Sequence, residues 1–203
     1  MGKPHAERKV EIIESALSLA AEQGVKRVST QAIADRVGIA QSTIFRHFKT
    51  RDDIFAAAIE WLADKLFVTL SRCFDSQAAA PARLDDLIHR QLRFVAEHKG
   101  LPRLIFSDRL HLESPMLKKA VRTIVERYTA ELARLVQSGI DSGHFKPDLD
   151  ADETARYIAA LLHGMVLRWS LFDFSFRIED EADAIVRFVL TTLSLPQPKE
   201  TQR

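Results

Sequence analysis

The sequence predicts an all-α protein, and three observations support this fold class. Apolar residues recur at intervals of three and four along most of the chain, which is the period of a helix. Only 7 Gly and 7 Pro occur among 203 residues, so signals for tight turns are few. With 46% hydrophobic and 28% charged residues, the composition is that of a globular chain, which excludes a wholly disordered or fibrous protein.

Apolar periodicity, together with capping and breaking residues, predicts the helices in order. We expect them at about 7–23, 30–37, 41–48, 51–74, 82–97, 101–110, 115–143, 151–174 and 181–194. Ser29 or Thr30 can cap the second helix, and Thr50 stands before two acids that suit the first turn of the fourth. Ser114 precedes Pro115 at the start of the seventh helix. Asp150 occupies the equivalent capping position of the eighth.

The second and third predicted helices form a helix-turn-helix. Helices of about eight residues are unstable alone, so two in succession must be held by close packing. Gly38 can adopt the left-handed conformation that ends one helix and turns the chain sharply. Ala34 is small enough for a close helix crossing, and Ile44 with Phe48 gives the third helix its buried edge.

The opposite face of the third helix carries side chains that suit DNA recognition. A rotation of 100° per residue places Ser42, Arg46 and Lys49 away from the buried edge, flanked by Thr43 and Phe45. Arginine can bind guanine, serine and threonine can contact bases or phosphates, and lysine neutralises phosphate. A solvated helical hairpin without function is the alternative for the polar residues alone.

The segment GVKRVSTQAIADRVGIAQSTIFRHFKTRDDIF resembles the signature of the tetracycline-repressor-like (TetR) family of transcription regulators. The resemblance covers roughly residues 8–60 and implies two domains: a three-helix DNA-binding domain at 1–50 and a helical effector-binding and dimerisation domain at 51–203. It implies base contacts from Gln41, Ser42, Phe45 and Arg46, and phosphate contacts from Thr30, Thr43, His47 and Lys49; Gln31 completes the predicted DNA-binding set. Ala40, Phe45 and His47 depart from the usual pattern, so the hydroxyl contacts often made there are absent.

The last two helices are predicted to form a homodimer. Residues 157–174 are apolar on nearly all faces, but His163, Arg168 and Asp173 interrupt the stretch, which excludes a membrane span. A helix apolar all round needs cover on every side, and a second chain can supply part of it. The ninth helix adds an apolar stripe, in which Ile185 and Val189 are expected at the interface. A purely intramolecular core helix is the alternative.

An internal cavity for a small apolar or aromatic effector is predicted in the second domain. Gly100 and Pro102 break the helical pattern between two long helices, which leaves room for a cavity. The candidate ligand-binding residues are Phe94, Arg103, Phe106, His111, Tyr128, His163 and Trp169. For each of them individually, an exposed or ordinary core position is the alternative.

Enzymatic and metal-binding signatures are not found in the sequence. It contains no GxGxxG, P-loop, HExxH or GxSxG motif, and we expect no cofactor. Asp108, His111 and Glu113 are scattered in a way more typical of surface polarity than of a metal site. Cys73 is the only cysteine and no apolar export signal follows Met1, so a cytoplasmic location is expected.

These observations predict a DNA-binding transcriptional regulator. The interpretation is a repressor that binds a near-palindromic operator as a homodimer and is released by a small ligand. With a net charge of +1, whole-chain electrostatics identify no polyanionic partner, so any basic surface must be local. An all-helical enzyme or scaffolding module with an incidental helical hairpin is the alternative.

Overall fold

The computed structural model describes residues 4–195, and the all-α prediction is confirmed there. The α-helices of this part of the chain are α1 (His5–Gln23), α2 (Thr30–Val37), α3 (Gln41–His47), α4 (Arg51–Asp75), α5 (Ala80–Glu97), α6 (Gly100–Ile105), α7 (Pro115–Asp141), α8 (Ala151–Leu171) and α9 (Ala182–Leu193). Short 3-10 turns at Val25–Arg27 and Ile178–Glu181 and a π-helical turn at Arg109–Glu113 complete them. None of the described helices is both long and apolar enough to cross a membrane.

Three of the predicted helix starts, those of α2, α4 and α8, are fixed by side-chain caps. Thr50 and Asp53 form a reciprocal capping box, in which each side chain accepts from the other's backbone amide, at 3.1 and 2.9 Å. Ser29 accepts from Ala32 N–H at 3.0 Å, and Asp150 accepts from Glu153 N–H at 2.8 Å. Each cap of this kind stabilises a helix by about 1 kcal/mol. Ser114 occupies the cap position of α7 without making a side-chain cap bond.

Two predicted helices end earlier than expected, and local backbone geometry explains both. The helix predicted at 101–110 stops at Ile105. Just after it, the Ser107 hydroxyl donates to Leu104 O and accepts from Leu110 N–H, and these bonds stabilise the turn that follows the helix. The helix predicted at 151–174 stops at Leu171, because Asp173 and Phe174 adopt positive φ angles of 51° and 58° that a right-handed helix cannot contain.

The buried side chains form two cores, and α4 contributes to both. The N-terminal core joins α1–α3 to the first half of α4, and Phe94, Leu104, Leu110 and Leu117 from later in the chain pack into it. The C-terminal core joins the second half of α4 to α5 and α7–α9. Between them lies α6, whose Gly100 packs directly against the backbone of α1 at Leu17.

Candidate DNA interface and internal cavity

The angle between α2 and α3 is set by a left-handed glycine and a closed core. Gly38 has φ 74° and ψ 39°, and the following Ile39 N–H donates back to Ala34 O at 3.0 Å. Ala34 and Ile44 are both fully buried where the two helices meet. The short α3 is therefore held by its neighbours rather than by its own length.

Side chains on the outer face of α3 lie in solvent, as the periodicity predicts. Ser42, Arg46 and Lys49 are exposed, and Thr43 is half-buried beside them. Phe45 is 50% exposed and is not part of the N-terminal core. The face thus combines hydrogen-bonding, cationic and aromatic groups without internal partners among the described residues for Ser42, Arg46 and Lys49.

Two of the predicted contact residues are oriented by hydrogen bonds within the motif. Gln41 Nε2 donates to Thr30 Oγ1 at 2.8 Å, which joins the starts of α2 and α3. Gln31 Nε2 donates to Asp35 Oδ1 at 2.6 Å, so this amide lies along its own helix. Gln41 keeps its amide oxygen free as an acceptor at the start of α3.

His47 turns towards α1 instead of standing outward with its neighbours. Its ring stacks against His5 with 4.3 Å between centroids, and its Nδ1 is buried without a hydrogen-bond partner. Burial, together with the cationic side chains of Arg46, Lys9 and Arg8 and with His5, lowers the pKa of His47. Its ring is therefore neutral near pH 7.

The first turns of α1 add positive charge beside α3, a contribution that the sequence analysis missed. Lys9 lies over the Phe48 ring with its Nζ 5.5 Å from the centroid, and Arg8 pairs with Glu11 at 2.8 Å. The adjacent Arg8 and Lys9 were the available signal in the sequence. Their nearness to α3 depends on how α1 crosses the motif, which periodicity does not give.

The start of α4 connects this motif to the rest of the chain. Arg51 donates to Val28 O at 2.9 Å, just before α2. Asp52 accepts from Arg109 Nε and Nη2 at 2.9 and 2.6 Å, and both side chains are largely buried. This ion pair joins the segment between α6 and α7 to the first turn of α4.

A mainly apolar, partly open cavity of about 180 Å³ lies between α4, α5, α6, α7 and α8. Three of the predicted ligand-binding residues line it: Phe106, Tyr128 and His163. Burial lowers the pKa of His163 and strongly raises that of Tyr128, so both side chains are neutral at pH 7.

Gln91 also lines the cavity, and the sequence analysis did not single it out. Its Oε1 accepts a short hydrogen bond from the Tyr128 hydroxyl, and both residues are at most 4% exposed. A glutamine within the apolar stripe of α5, between Ile88 and Val95, was the signal that could have found it.

The other four predicted ligand-binding residues lie outside this cavity lining. Phe94 is in the N-terminal core and stacks on His98 at 4.3 Å. Trp169 Nε1 donates to Phe176 O at 2.7 Å, and Arg103 pairs with Asp173 at 3.0 Å. His111 is exposed and donates from Nε2 to Ile105 O at 2.9 Å. Each of these four side chains therefore contacts another residue of the chain and does not line the cavity.

The expected positions of Ile185 and Val189 at an intermolecular surface are corrected by the structure. They are only 5% and 4% exposed because they face the C-terminal core of their own chain. Within its own chain, α8 is also not covered on all of its apolar faces. The exposed apolar side chains of this region are instead Tyr157 (67%), Leu167 (38%) and Leu171 (71%) on α8, Phe188 (64%) on α9 and Leu195 (48%) just after α9. We call this set the exposed apolar stripe.

The residues considered for metal or nucleophilic chemistry are engaged in other ways. Glu113 pairs with Arg109 at 3.0 Å, and no three imidazole, thiol or carboxylate groups within residues 4–195 are placed to share a metal ion. Burial, with a contribution from neighbouring Asp86, raises the pKa of Cys73 to about 11. Its thiol is therefore not ionised at neutral pH.

Comparison with known families identifies both parts of the chain. Residues 12–58 match the model described as "Bacterial regulatory proteins, tetR family", and residues 108–185 match "Tetracyclin repressor-like, C-terminal domain". Together the two matches cover more than half of the chain. The chain belongs to the TetR family of transcriptional regulators.

Similar proteins extend over nearly the whole length of this TetR-family regulator. The nucleoid occlusion factor SlmA of Escherichia coli O9:H4 is 28% identical over 181 residues, which cover 87% of this chain and 90% of SlmA. The fatty acid degradation regulator FadR from Bacillus halodurans superposes with a TM-score of 0.82 at 18% identity, over 100% of both chains. FadR from Bacillus subtilis in complex with stearoyl-CoA gives 0.78 at 21% identity, over 90% of this chain and 98% of that one. The structural likenesses establish the shared fold.

Proposed function

We propose that this TetR-family regulator is a repressor that binds a near-palindromic operator as a homodimer and leaves the DNA when a small apolar or aromatic effector fills its cavity. One observation carries the proposal. Helix α6, which forms part of the cavity wall, also packs against the backbone of α1, and α1 contacts the end of α3 through the His5–His47 and Lys9–Phe48 pairs. A ligand in the cavity and a DNA contact at α3 are therefore joined by two consecutive packing contacts.

In this proposal the outer face of α3 enters the major groove. The family resemblance assigns the base contacts to Gln41, Ser42, Phe45 and Arg46. Ser42 and Arg46 stand furthest from the buried edge of the helix, Phe45 is half exposed, and Gln41 is its first residue. The predicted phosphate contacts come from Thr30, Thr43, His47 and Lys49, with Lys9 of α1 added from the structure, and Gln31 belongs to the same DNA-binding set. Phosphate contacts fix the position of the helix, and base contacts select the sequence.

The exposed apolar stripe of α8 and α9 supports dimerisation. Side chains such as Leu171 and Phe188 are costly to leave in water, and stripes of this kind mark interaction surfaces. Pairing two copies through α8 and α9 produces a two-fold dimer with a four-helix interface. Its two α3 helices then read half-sites about 34 Å apart.

Release of DNA follows from the size of the cavity and the position of α6. A volume of 180 Å³ is below the roughly 300–1,000 Å³ of most ligand pockets, so a larger effector that is taken up completely must displace a wall. Leu101, Ile105 and Phe106 place α6 in that wall. The ligand must bind the displaced arrangement better, since equal affinity for both arrangements shifts no population. A differential of ~1.4 kcal/mol changes operator affinity about tenfold.

The apolar lining supports an effector that is mainly hydrocarbon. The B. subtilis relative was crystallised with stearoyl-CoA, which shows that the fold can serve an acyl ligand in that protein. The proposed action takes place in the cytoplasm and needs neither metal nor cofactor.

Selection of bound sequences from a random DNA pool tests the proposal. We expect an enriched motif with two inverted half-sites, bound with a steep salt dependence because phosphate contacts release counterions. Addition of hits from a thermal-shift screen of small apolar compounds should then reduce operator binding. Failure to enrich any motif would contradict the DNA-binding part, and ligands that stabilise the protein but leave operator binding unchanged would contradict the release part.

A further inference from the structure

The cavity lining has a specific chemical character beyond being apolar. Twelve of its fifteen residues are apolar, and the other three, Gln91, Tyr128 and His163, carry no formal charge at neutral pH. No lysine, arginine, aspartate or glutamate is among the described residues that line it. An ion placed in this cavity would have no counterion from the lining.

The polar groups lie close together and have hydrogen-bonding capacity left. The Tyr128 hydroxyl donates its proton to Gln91 Oε1, so the Gln91 NH₂ group is still available as a donor. The His163 ring lies 6.4 Å from the Tyr128 ring and makes no hydrogen bond to another described residue. The free donor of Gln91 suits an oxygen acceptor on a ligand, because a ligand that displaces water from this amide must supply a replacement partner.

The free energy cost of burying a charge disfavours ligands that carry an ionic group on the same hydrocarbon body. Moving an ion from water into an apolar site without a partner costs far more than moving a hydrogen-bonded neutral group. His163 cannot readily compensate a carboxylate, since burial already disfavours its protonated form.

We infer that the cavity binds an uncharged ligand with a hydrocarbon body and one oxygen acceptor, a carbonyl or an ether, that receives a hydrogen bond from Gln91. The inference rests on the proposed effector site and specifies its ligand class. A cavity of about 150 Å³ accepts benzene, so 180 Å³ accommodates one ring with a small substituent before any wall moves. The charged part of any larger effector must then lie outside the described lining.

A matched series of single-ring probes tests this inference on the full chain. Acetophenone is neutral and has a carbonyl, whereas benzoate and benzylammonium have similar size and opposite charges. We expect ligand-observed NMR titrations at pH 7 to give acetophenone an affinity at least about tenfold above both ions, a difference of ~1.4 kcal/mol. Ethylbenzene, which has no acceptor, serves as the apolar reference.

The variant Gln91→Leu isolates the hydrogen bond. It should lower acetophenone affinity several-fold and leave ethylbenzene binding unchanged or stronger. Thermal melting of the variant checks its folding, and the ranking of the four probes on the parent protein decides the matter even where the variant does not fold.

Two results would overturn the inference. One is that benzoate or benzylammonium binds as tightly as acetophenone, and the other is that neither acetophenone nor ethylbenzene binds. Equal loss of acetophenone and ethylbenzene in a folded Gln91→Leu protein would overturn the role of Gln91. Acetophenone binding that follows the expected ranking without reducing operator affinity supports the inference and contradicts ligand release at this occupancy. The two proposals therefore fail on different measurements.

Discussion

A Cβ atom added to Gly100 would lie 2.3 Å from the carbonyl oxygen of Leu17 and 2.9 Å from its carbonyl carbon. The first residue of α6 therefore touches the backbone of α1 itself, where no side chain can move aside. Under the proposed function, a displacement of α6 would act on the backbone of α1 and not on a flexible side chain. The contact joins the cavity wall to the helix that supports α3.

The substitution Gly100→Ala tests this contact. We expect it to reduce the free energy of unfolding by about 1–3 kcal/mol, because the added methyl forces α6 and α1 apart. Urea denaturation of parent and variant measures the change. Under the proposed function, operator affinity should also fall even without a ligand; a variant with unchanged stability and unchanged affinity would show that the two helices separate freely.

Arg46→Ala should lower affinity for the selected operator by about 1–3 kcal/mol and relax the base preference. Lys49→Ala should weaken binding to all sequences by similar amounts, since a phosphate contact carries no sequence information. Both residues are exposed on the same face, which makes the pair a matched comparison. Fluorescence-anisotropy titrations against operator and scrambled DNA separate the effects. Parent-like operator binding by Arg46→Ala would show that this side chain does not read bases.

A charge in the exposed apolar stripe should dissociate the dimer. We expect the parent to sediment as a dimer at micromolar concentration and Phe188→Asp to sediment as a folded monomer, because the aspartate would be buried unpaired between two chains. Val68→Asp is the control: Val68 is 74% exposed but lies on α4, outside the stripe. A monomeric parent would remove the basis for dimerisation through α8 and α9.

Stability should decrease as the solution is acidified from pH 7 to pH 5. The pKa of His163 is below its ordinary value of 6.5 in the folded chain because of burial, so the unfolded chain binds the proton more readily. Its contribution is present above pH 6.5 and is lost as pH falls towards the folded pKa. His47 contributes with the same sign, whereas His89, whose pKa is raised, contributes with the opposite one.

Replacing His163 with leucine should flatten this dependence. Urea denaturation of parent and His163→Leu at several pH values, at one protein concentration, measures the slope. The residual slope reports mainly His47 and His89. An identical slope in both proteins would show that His163 does not titrate differently on folding.

Local sequence signals were sufficient for most helix starts and for the turn in the helix-turn-helix. The cap at Thr50 and the left-handed Gly38 involve neighbours in sequence, so their partners can be read directly. Features that depend on packing between distant segments were predicted poorly. On α9, periodicity finds apolar residues on two faces, and it does not tell that Val189 turns inward while Phe188 faces solvent.

For the candidate cavity too, features set by neighbouring residues were predicted, and features set by packing between distant helices were not. The break near Gly100 correctly indicated an irregular region, and the aromatic content suggested apolar walls. Which polar residues face the interior depends on the rotation of five helices about their axes. Gln91 was therefore missed. Arg103 and His111 were predicted to line the cavity, but Arg103 pairs with Asp173 and His111 donates to Ile105 O outside it.

Because α4 belongs to both cores, the chain cannot be divided by a single cut into two folding units. A fragment ending at residue 50 would lack Ile54, Phe55 and Ala58, which are completely buried in the N-terminal core. It would also lose the cover provided by Leu104 and Leu117. Exchanging effector domains between related regulators at that position would thus leave the recipient helix-turn-helix with a mismatched interior. A working hybrid must carry over the matching residues of α4, α6 and the start of α7, so new ligand specificity is more readily obtained by changing the cavity lining in place.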